Sequence, residues 1–160
     1  MSVFKFQIAP PNCEMLASAI DLSHPDINLF NETAQSFAKE MAYPELLQWN
    51  KRDRTWEVKH DKNVNKITQL RKFYDEVCMW EAKSKNLQVF SENLPFIKML
   101  NAKVAYARSR EYVDDKFVTM IAGCLSQINE TNEDGMKKFK NFKTFFEAFY
   151  GFYRAERIKD

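Results

Sequence analysis

The stretch LPFIKMLNAKVAYARSR, residues 94–110, contains no acid and carries basic side chains at Lys98, Lys103, Arg108 and Arg110. Each step along an α-helix turns the side chain by about 100°. Lys103, Tyr106 and Arg110 therefore fall together at one edge of the apolar face, while the other two cations lie further round. Cations interleaved with an aromatic ring suit the binding of a negatively charged polymer by its backbone. The pattern indicates binding rather than catalysis.

A second set of the same kind lies in KNVNKITQLRKFYDEV, residues 62–77. The side chains that flank its apolar stripe are Lys66, Thr68, Arg71 and Lys72. Hydroxyl and amide groups donate to phosphate oxygens as Arg does, so Thr68 and Asn65 belong to the same candidate set. A single such cation more often covers apolar surface with its stem and keeps its charged end in water. Because two predicted helices both carry such cations beside their apolar stripes, we expect the cations to form a basic face.

Signatures of an enzyme are largely missing from the sequence. With three scattered glycines, the chain has neither a phosphate-binding GxxxxGK[ST] loop nor a GxGxxG turn. His24 and His60 stand apart from each other and from the cysteines, which argues against a metal site and against a Cys–His nucleophile. The nearby carboxylates Asp75, Glu76 and Glu81 are typical of a solvated helix face. We therefore expect a protein that is not an enzyme, with no cofactor and no metal.

The positive charge is concentrated in the middle of the chain. The net charge is −4 over residues 1–50, +7 over residues 51–110 and −1 over residues 111–160. Blocks of one sign favour an interaction surface. No run of about 18 apolar residues exists, so no membrane contact is expected. The three cysteines, odd in number and widely spaced, are typical of reduced thiols in the cytoplasm.

Length and composition predict one all-α domain over residues 1–160, a compact bundle of about five helices with an irregular N-terminal segment, residues 1–25. Leu, Ile, Val and Phe fill 40 positions, and glycine and proline are scarce after the first third. Asn93 and Pro95 predict a turn between helices. Asp114 and the NEDG stretch, residues 132–135, predict the N-caps of the last two helices. Apolar periodicity places the helices at 26–42, 64–90, 95–110, about 114–128 and 134–155.

Residues 45–62 are predicted to form a charged connector. Within it, Trp49 and Trp56 flank three cations, Lys51, Arg52 and Arg54. Aromatic and basic residues mixed in this way are typical of proteins that bind single-stranded nucleic acid. A loop held by the two tryptophans is an equal alternative. RTWEVK could form a brief strand, although a loop is the expected state.

Three blocks resemble the small subunit of type III-A CRISPR–Cas effector (Csm) complexes: TQLRKFYDEV (68–77), LPFIKMLNAKVAYARSR (94–110) and FKTFFEAFYGFYR (142–154). The resemblance covers roughly residues 63–155, the best-matched helical core, and departs at Ser109, where the family tends to have glycine. It implies a non-catalytic, cytoplasmic protein of antiviral defence that stacks in several copies along the guide RNA–target RNA path. The implied partners are the guide (crRNA)–target RNA duplex, target RNA, the backbone and large signalling subunits, and copies of itself.

Carried over to matched positions, the resemblance implies that RNA is contacted by Thr68, Arg71, Lys103, Tyr106, Arg108 and Arg110. With Lys66, Lys72 and Lys98 from the helical spacing, they complete the predicted RNA-binding set. The contacts should be to the backbone, so they should not depend on sequence. Two alternatives are a helical scaffold that binds only protein through its Phe-rich last helix, and the small subunit of type III-B complexes.

Overall fold

A computed structural model of the chain describes residues 3–5, by their backbone, and residues 17–157. Its strands are β1 (Val3–Lys5), β2 (Glu45–Asn50) and β3 (Thr55–His60). Its α-helices are α1 (Ala34–Met41), α2 (Ile67–Lys83), α3 (Leu87–Lys98), α4 (Leu100–Ser109), α5 (Asp115–Leu125) and α6 (Glu133–Glu156). A π-helical turn, Leu29–Thr33, leads into α1. The prediction of a mostly helical fold is confirmed.

The core is built around α6, which packs against α1 and α2. Five of its six phenylalanines are almost completely buried, and the ring of Phe37 in α1 meets that of Phe145 edge to face at 5.8 Å. The buried phenylalanines of α6 are Phe139, Phe142, Phe145, Phe146 and Phe149. Because these five rings fill the interior, they are not available as a contact surface, and a protein-only scaffold would have to bind through other residues.

Two helix starts follow from local capping. The side chain of Asp114 accepts a hydrogen bond from the backbone N–H of Phe117 at 3.1 Å. The side chain of Asn132 accepts one from Gly135 N–H at 3.1 Å. Each satisfies a first-turn donor that has no partner inside its helix. The predicted caps of the last two helices are confirmed.

The predicted boundaries between residues 83 and 100 are wrong. The long helix ends at Lys83 rather than at residue 90, and Asn86 caps the next helix by accepting from Val89 N–H at 3.0 Å. Pro95 therefore lies inside α3 instead of marking a turn. The predicted helix 95–110 is divided at Met99, which keeps helical dihedral angles. A strong cap at Asn86 outweighs the turn tendency of the Asn93–Pro95 pair.

The predicted connector 45–62 is mostly a β-hairpin. Strands β2 and β3 pair antiparallel from Glu45↔His60 to Asn50↔Thr55, and β1 adds to the other edge of β2. Part of the predicted irregular segment 1–25 thus forms a strand, and residues 6–16 of that segment, with Cys13, lie outside the described residues. Among the described residues, no helix is long and apolar enough to cross a membrane.

Candidate nucleic-acid interface

Helices α2 and α4 run past each other in opposite directions. Glu76, in the middle of α2, forms an ion pair with Lys103 in the first half of α4. At the other end, Asn65 N–H, just before α2, donates to Tyr112 C=O, just after α4, at 2.9 Å. The two sequence blocks that carried the predicted RNA-binding residues are therefore brought side by side.

This second meeting point, which we call the corner, has an open pocket of about 250 Å³ between the start of α2 and the segment that follows α4. The residues that line it are Asn63, Lys66, Thr68, Gln69 and Tyr112. The guanidinium of Arg110 lies over the Tyr112 ring, 5.7 Å from its centre. It also donates to the hydroxyls of Tyr106 and Tyr112, each at 3.4 Å. An arginine fixed in this way against two tyrosines presents its charge in one direction.

Asn65 is a buried residue that connects the two sides of this corner by hydrogen bonds. It is completely buried, has a left-handed backbone (φ 56°), and accepts at its side-chain oxygen from Asp114 N–H at 3.0 Å. Its backbone C=O accepts from the hydroxyl of Tyr153 in α6. A residue so enclosed cannot reach a phosphate, so its predicted role as a phosphate donor is wrong. Its role is to position the residues on either side.

Two of the predicted cations on the 94–110 stretch face away from α2. Lys98 donates from its ammonium to Leu125 C=O and, at 3.0 Å, to the side-chain oxygen of Asn129, so it closes the C-terminal end of α5. Burial lowers the pKa of the Lys98 ammonium. Arg108 pairs with Asp115 in the first turn of α5 at 2.7 Å. Both therefore have partners within the fold, and the structure does not bring them to the corner.

The remaining predicted residues of α2 lie along its exposed side. Lys72 follows Thr68 by one turn, on the same side of the helix, and forms no ion pair with the residues described. Arg71, the residue before Lys72, forms an ion pair with Asp75 at 3.6 Å. Both side chains are more than half exposed. Such exposed pairs are worth about 0–1 kcal/mol. Arg71 can therefore exchange its carboxylate for another anion with little loss.

We call the resulting surface the α2–α4 face. Its members are Lys66, Thr68, Lys72, Lys103, Tyr106, Arg110 and Tyr112. It carries four cations, of which Lys103 is paired with Glu76. The N-terminal end of α2, a helix of 17 residues, adds the positive end of its dipole at Lys66. The arrangement can hold phosphate groups without reading bases.

Comparison with protein-family models gives one decisive match. The model described as Csm2 Type III-A matches residues 45–158, more than two thirds of the chain. The chain belongs to the Csm2 type III-A family. No curated protein and no solved structure gives a match.

Membership in the Csm2 family confirms the resemblance and identifies the chain as a small subunit of a type III-A CRISPR complex. The match also decides against the type III-B alternative. It includes the hairpin as well as α2 to α6, so the family region begins at β2, earlier than the predicted start near residue 63.

Sequence reasoning missed three members of the corner in this Csm2 family chain: Asn63, Gln69 and Tyr112. Tyr112 follows the predicted helix by two residues, and helical periodicity gives no direction for a side chain beyond the end of a helix. The available signal was the spacing of Tyr112 from Arg110, since a ring two residues from a guanidinium in a turn can lie beneath it.

Proposed function

We propose that this Csm2 family subunit holds the guide RNA–target RNA duplex and target RNA by their backbone phosphates through the α2–α4 face. Lys66, Lys72, Lys103 and Arg110 supply the charge, and Thr68 with the tyrosine hydroxyls supplies neutral donors. Binding is independent of sequence because none of these groups has to reach a base edge. The guide supplies sequence recognition by base pairing.

In the same proposal, several copies stack along the RNA path and contact the backbone subunits and the large signalling subunit. The chain contributes no catalytic step, and it works in the cytoplasm in antiviral defence. Each copy needs only a few phosphate contacts, because contacts from several linked copies reinforce one another.

The observation that carries the proposal is the position of Arg110. It is fully charged at any physiological pH, lies 5.7 Å from the Tyr112 ring centre, and has hydroxyl rather than carboxylate partners among the contacts of its guanidinium. Lys66 and Thr68 line the adjacent pocket together with Tyr112, the ring over which Arg110 lies. A phosphate arriving there would meet cations without having to displace a carboxylate from Arg110.

The test is RNA affinity as a function of salt. The full-length subunit and the double variant Lys72→Gln with Arg110→Gln are titrated into labelled guide–target duplex from about 20 to 200 mM salt. Since each lost phosphate contact lowers the slope of log affinity against log salt by about 0.7–1 unit, we expect a decrease of about 1–2 units in slope. Two unrelated duplex sequences should show the same decrease.

The matched control is Lys137→Gln with Lys140→Gln, which removes the same charge from two exposed positions of α6. It should lower affinity slightly and leave most of the slope. Equal slopes for the two double variants, with both proteins folded, would show that only net charge matters and that the α2–α4 face is not the RNA site.

A further inference from the structure

The β2–β3 hairpin has one apolar and aromatic face that is separate from the α2–α4 face. Directly paired residues of antiparallel strands point to the same side of a sheet, and so do residues two positions further along. The pairs Trp49↔Trp56 and Leu47↔Val58 therefore share one face. His60 continues this row at the base of the hairpin, where its ring lies 5.4 Å from that of Tyr43.

This aromatic face is only partly covered. Trp56 is 42% exposed and Val58 57% exposed. The opposite face of the hairpin is polar over its outer part: Asn50 donates to Glu57 at 2.7 Å, and Glu57 pairs with Lys59 at 3.2 Å. A half-buried sheet normally packs its apolar face against the core and leaves its polar face in solvent. The outer part of this hairpin instead leaves its apolar face partly exposed.

The turn that joins the strands carries three exposed cations next to the tryptophan pair: Lys51, Arg52 and Arg54. The one acid of the turn, Asp53, accepts at its carboxylate from Asn50 at 3.1 Å. The side-chain oxygen of Asn50 accepts from the backbone N–H groups of Arg52 and Asp53 at 2.9 and 3.2 Å. The cations are therefore carried on a turn whose backbone is fixed relative to the rings.

We propose that this face binds single-stranded RNA by stacking unpaired bases on Trp56, with the turn cations holding the adjacent phosphates. The ring planes of Trp49 and Trp56 meet at 62° with centres 5.4 Å apart, so they do not cover each other face to face. Stacking on aromatic side chains requires bases that are not already paired, and it tolerates any sequence. An exposed ring bordered by cations fits an anionic strand with planar bases better than it fits an apolar protein surface.

The choice of RNA rests on the proposed function, but the two sites differ in what they recognise. The α2–α4 face uses phosphates and should accept a duplex. The hairpin face needs exposed bases and should not. A duplex therefore tests the α2–α4 face alone. A single strand can bind to both faces, and it tests the hairpin face through the loss of affinity that Trp56→Ala causes.

The experiment uses the full chain with Trp80→Phe, which leaves Trp49 and Trp56 as the fluorescent residues. Single-stranded oligouridine should quench their emission, and a blunt RNA duplex should not. Trp56→Ala should weaken oligouridine binding by about five- to 150-fold, the range found for loss of one stacked base. Trp56→Phe should restore most of the affinity. The matched control, Thr55→Ala, lies on the polar face of the same strand and should leave binding unchanged.

Three results would overturn the inference. One is no quenching by oligouridine at low salt. Another is a Trp56→Ala variant that loses the same fraction of affinity for duplex and single strand. The third is unchanged RNA binding together with altered self-association in sedimentation, which would make the face a protein contact. Because Trp56→Ala is read on the single strand and Arg110→Gln on the duplex, failure of one does not imply failure of the other.

Discussion

Replacing Asn65 by alanine should destabilise the protein more than its single position suggests. Asn65 joins the start of α2 to the α4–α5 connection and, through Tyr153, to α6. Alanine would leave Asp114 N–H without its acceptor, which costs about 1–3 kcal/mol. It would also have to adopt the left-handed backbone that Asn65 has at φ 56°, at a cost of about 1–2 kcal/mol. We expect a loss of about 2–5 kcal/mol in the free energy of unfolding.

Urea unfolding followed by circular dichroism measures this loss directly, provided the slope against urea concentration is unchanged. In a chain of this size the midpoint temperature should fall by about 4–20 °C. Asn65→Gly separates the two causes, because glycine adopts a positive φ without strain but supplies no acceptor. It should lose only the hydrogen-bond part and be more stable than Asn65→Ala.

The matched control is Asn63→Ala, two residues earlier, where the asparagine side chain is exposed. It should change stability by no more than about 0.5 kcal/mol. An Asn65→Ala protein within that same range would refute the reasoning, since neither the buried acceptor nor the left-handed backbone would then matter. Equal stabilities for Asn65→Ala and Asn65→Gly would refute the backbone part alone.

Two further predictions concern stability. A side chain at Gly135 would place its Cβ 1.7 Å from the backbone oxygen of Glu130, whereas one at Gly151 would meet nothing within 4 Å. We therefore expect Gly135→Ala to destabilise the protein by about 1–3 kcal/mol and Gly151→Ala to stabilise it by about 0.5–1 kcal/mol. Thermal unfolding of the two variants measures both changes. Burial raises the pKa of the Asp114 carboxyl above its ordinary 3.8, so the folded state disfavours the carboxylate, and stability from this group decreases as pH rises through and above 3.8. Asp114→Asn keeps a capping oxygen but does not titrate. The unfolding free energy of this variant, relative to that of the original protein, should therefore rise as the pH increases through and above 3.8. A difference that stays constant with pH would contradict the raised pKa of Asp114.

The helices were predictable because their apolar residues recur every three or four positions and their ends carry strong caps. Asp114 and Asn132 were found in this way. The failure came where two stop signals lay close together, at Asn86 and at Pro95. The sequence marks both, but the choice between them depends on how α3 packs on α2 and α6, as Phe90 does by burying its ring against Phe139.

The hairpin was not predictable as a strand pair from its own residues. A half-buried strand normally alternates apolar and polar positions with the apolar side packed inward. Here the aromatic side of β3 is largely exposed, and the turn contains no glycine, with Arg54 itself at φ 54°. The usual Asn-Gly or Asp-Gly hairpin signal is therefore missing, although Asn50 supplies a local turn through its side chain.

The stretch 94–110 contains no acid, yet most of its charge is balanced within the fold. Lys103 pairs with Glu76, Arg108 pairs with Asp115, and Lys98 caps the end of α5. A run of one sign along the sequence is thus weak evidence for an external anion until the neighbouring elements are known. Arg110 differs because its guanidinium rests on tyrosines, which hold it in place and leave its charge available. For this reason the proposed RNA contact depends on the corner where α2 and α4 meet, and much less on the number of cations in the stretch.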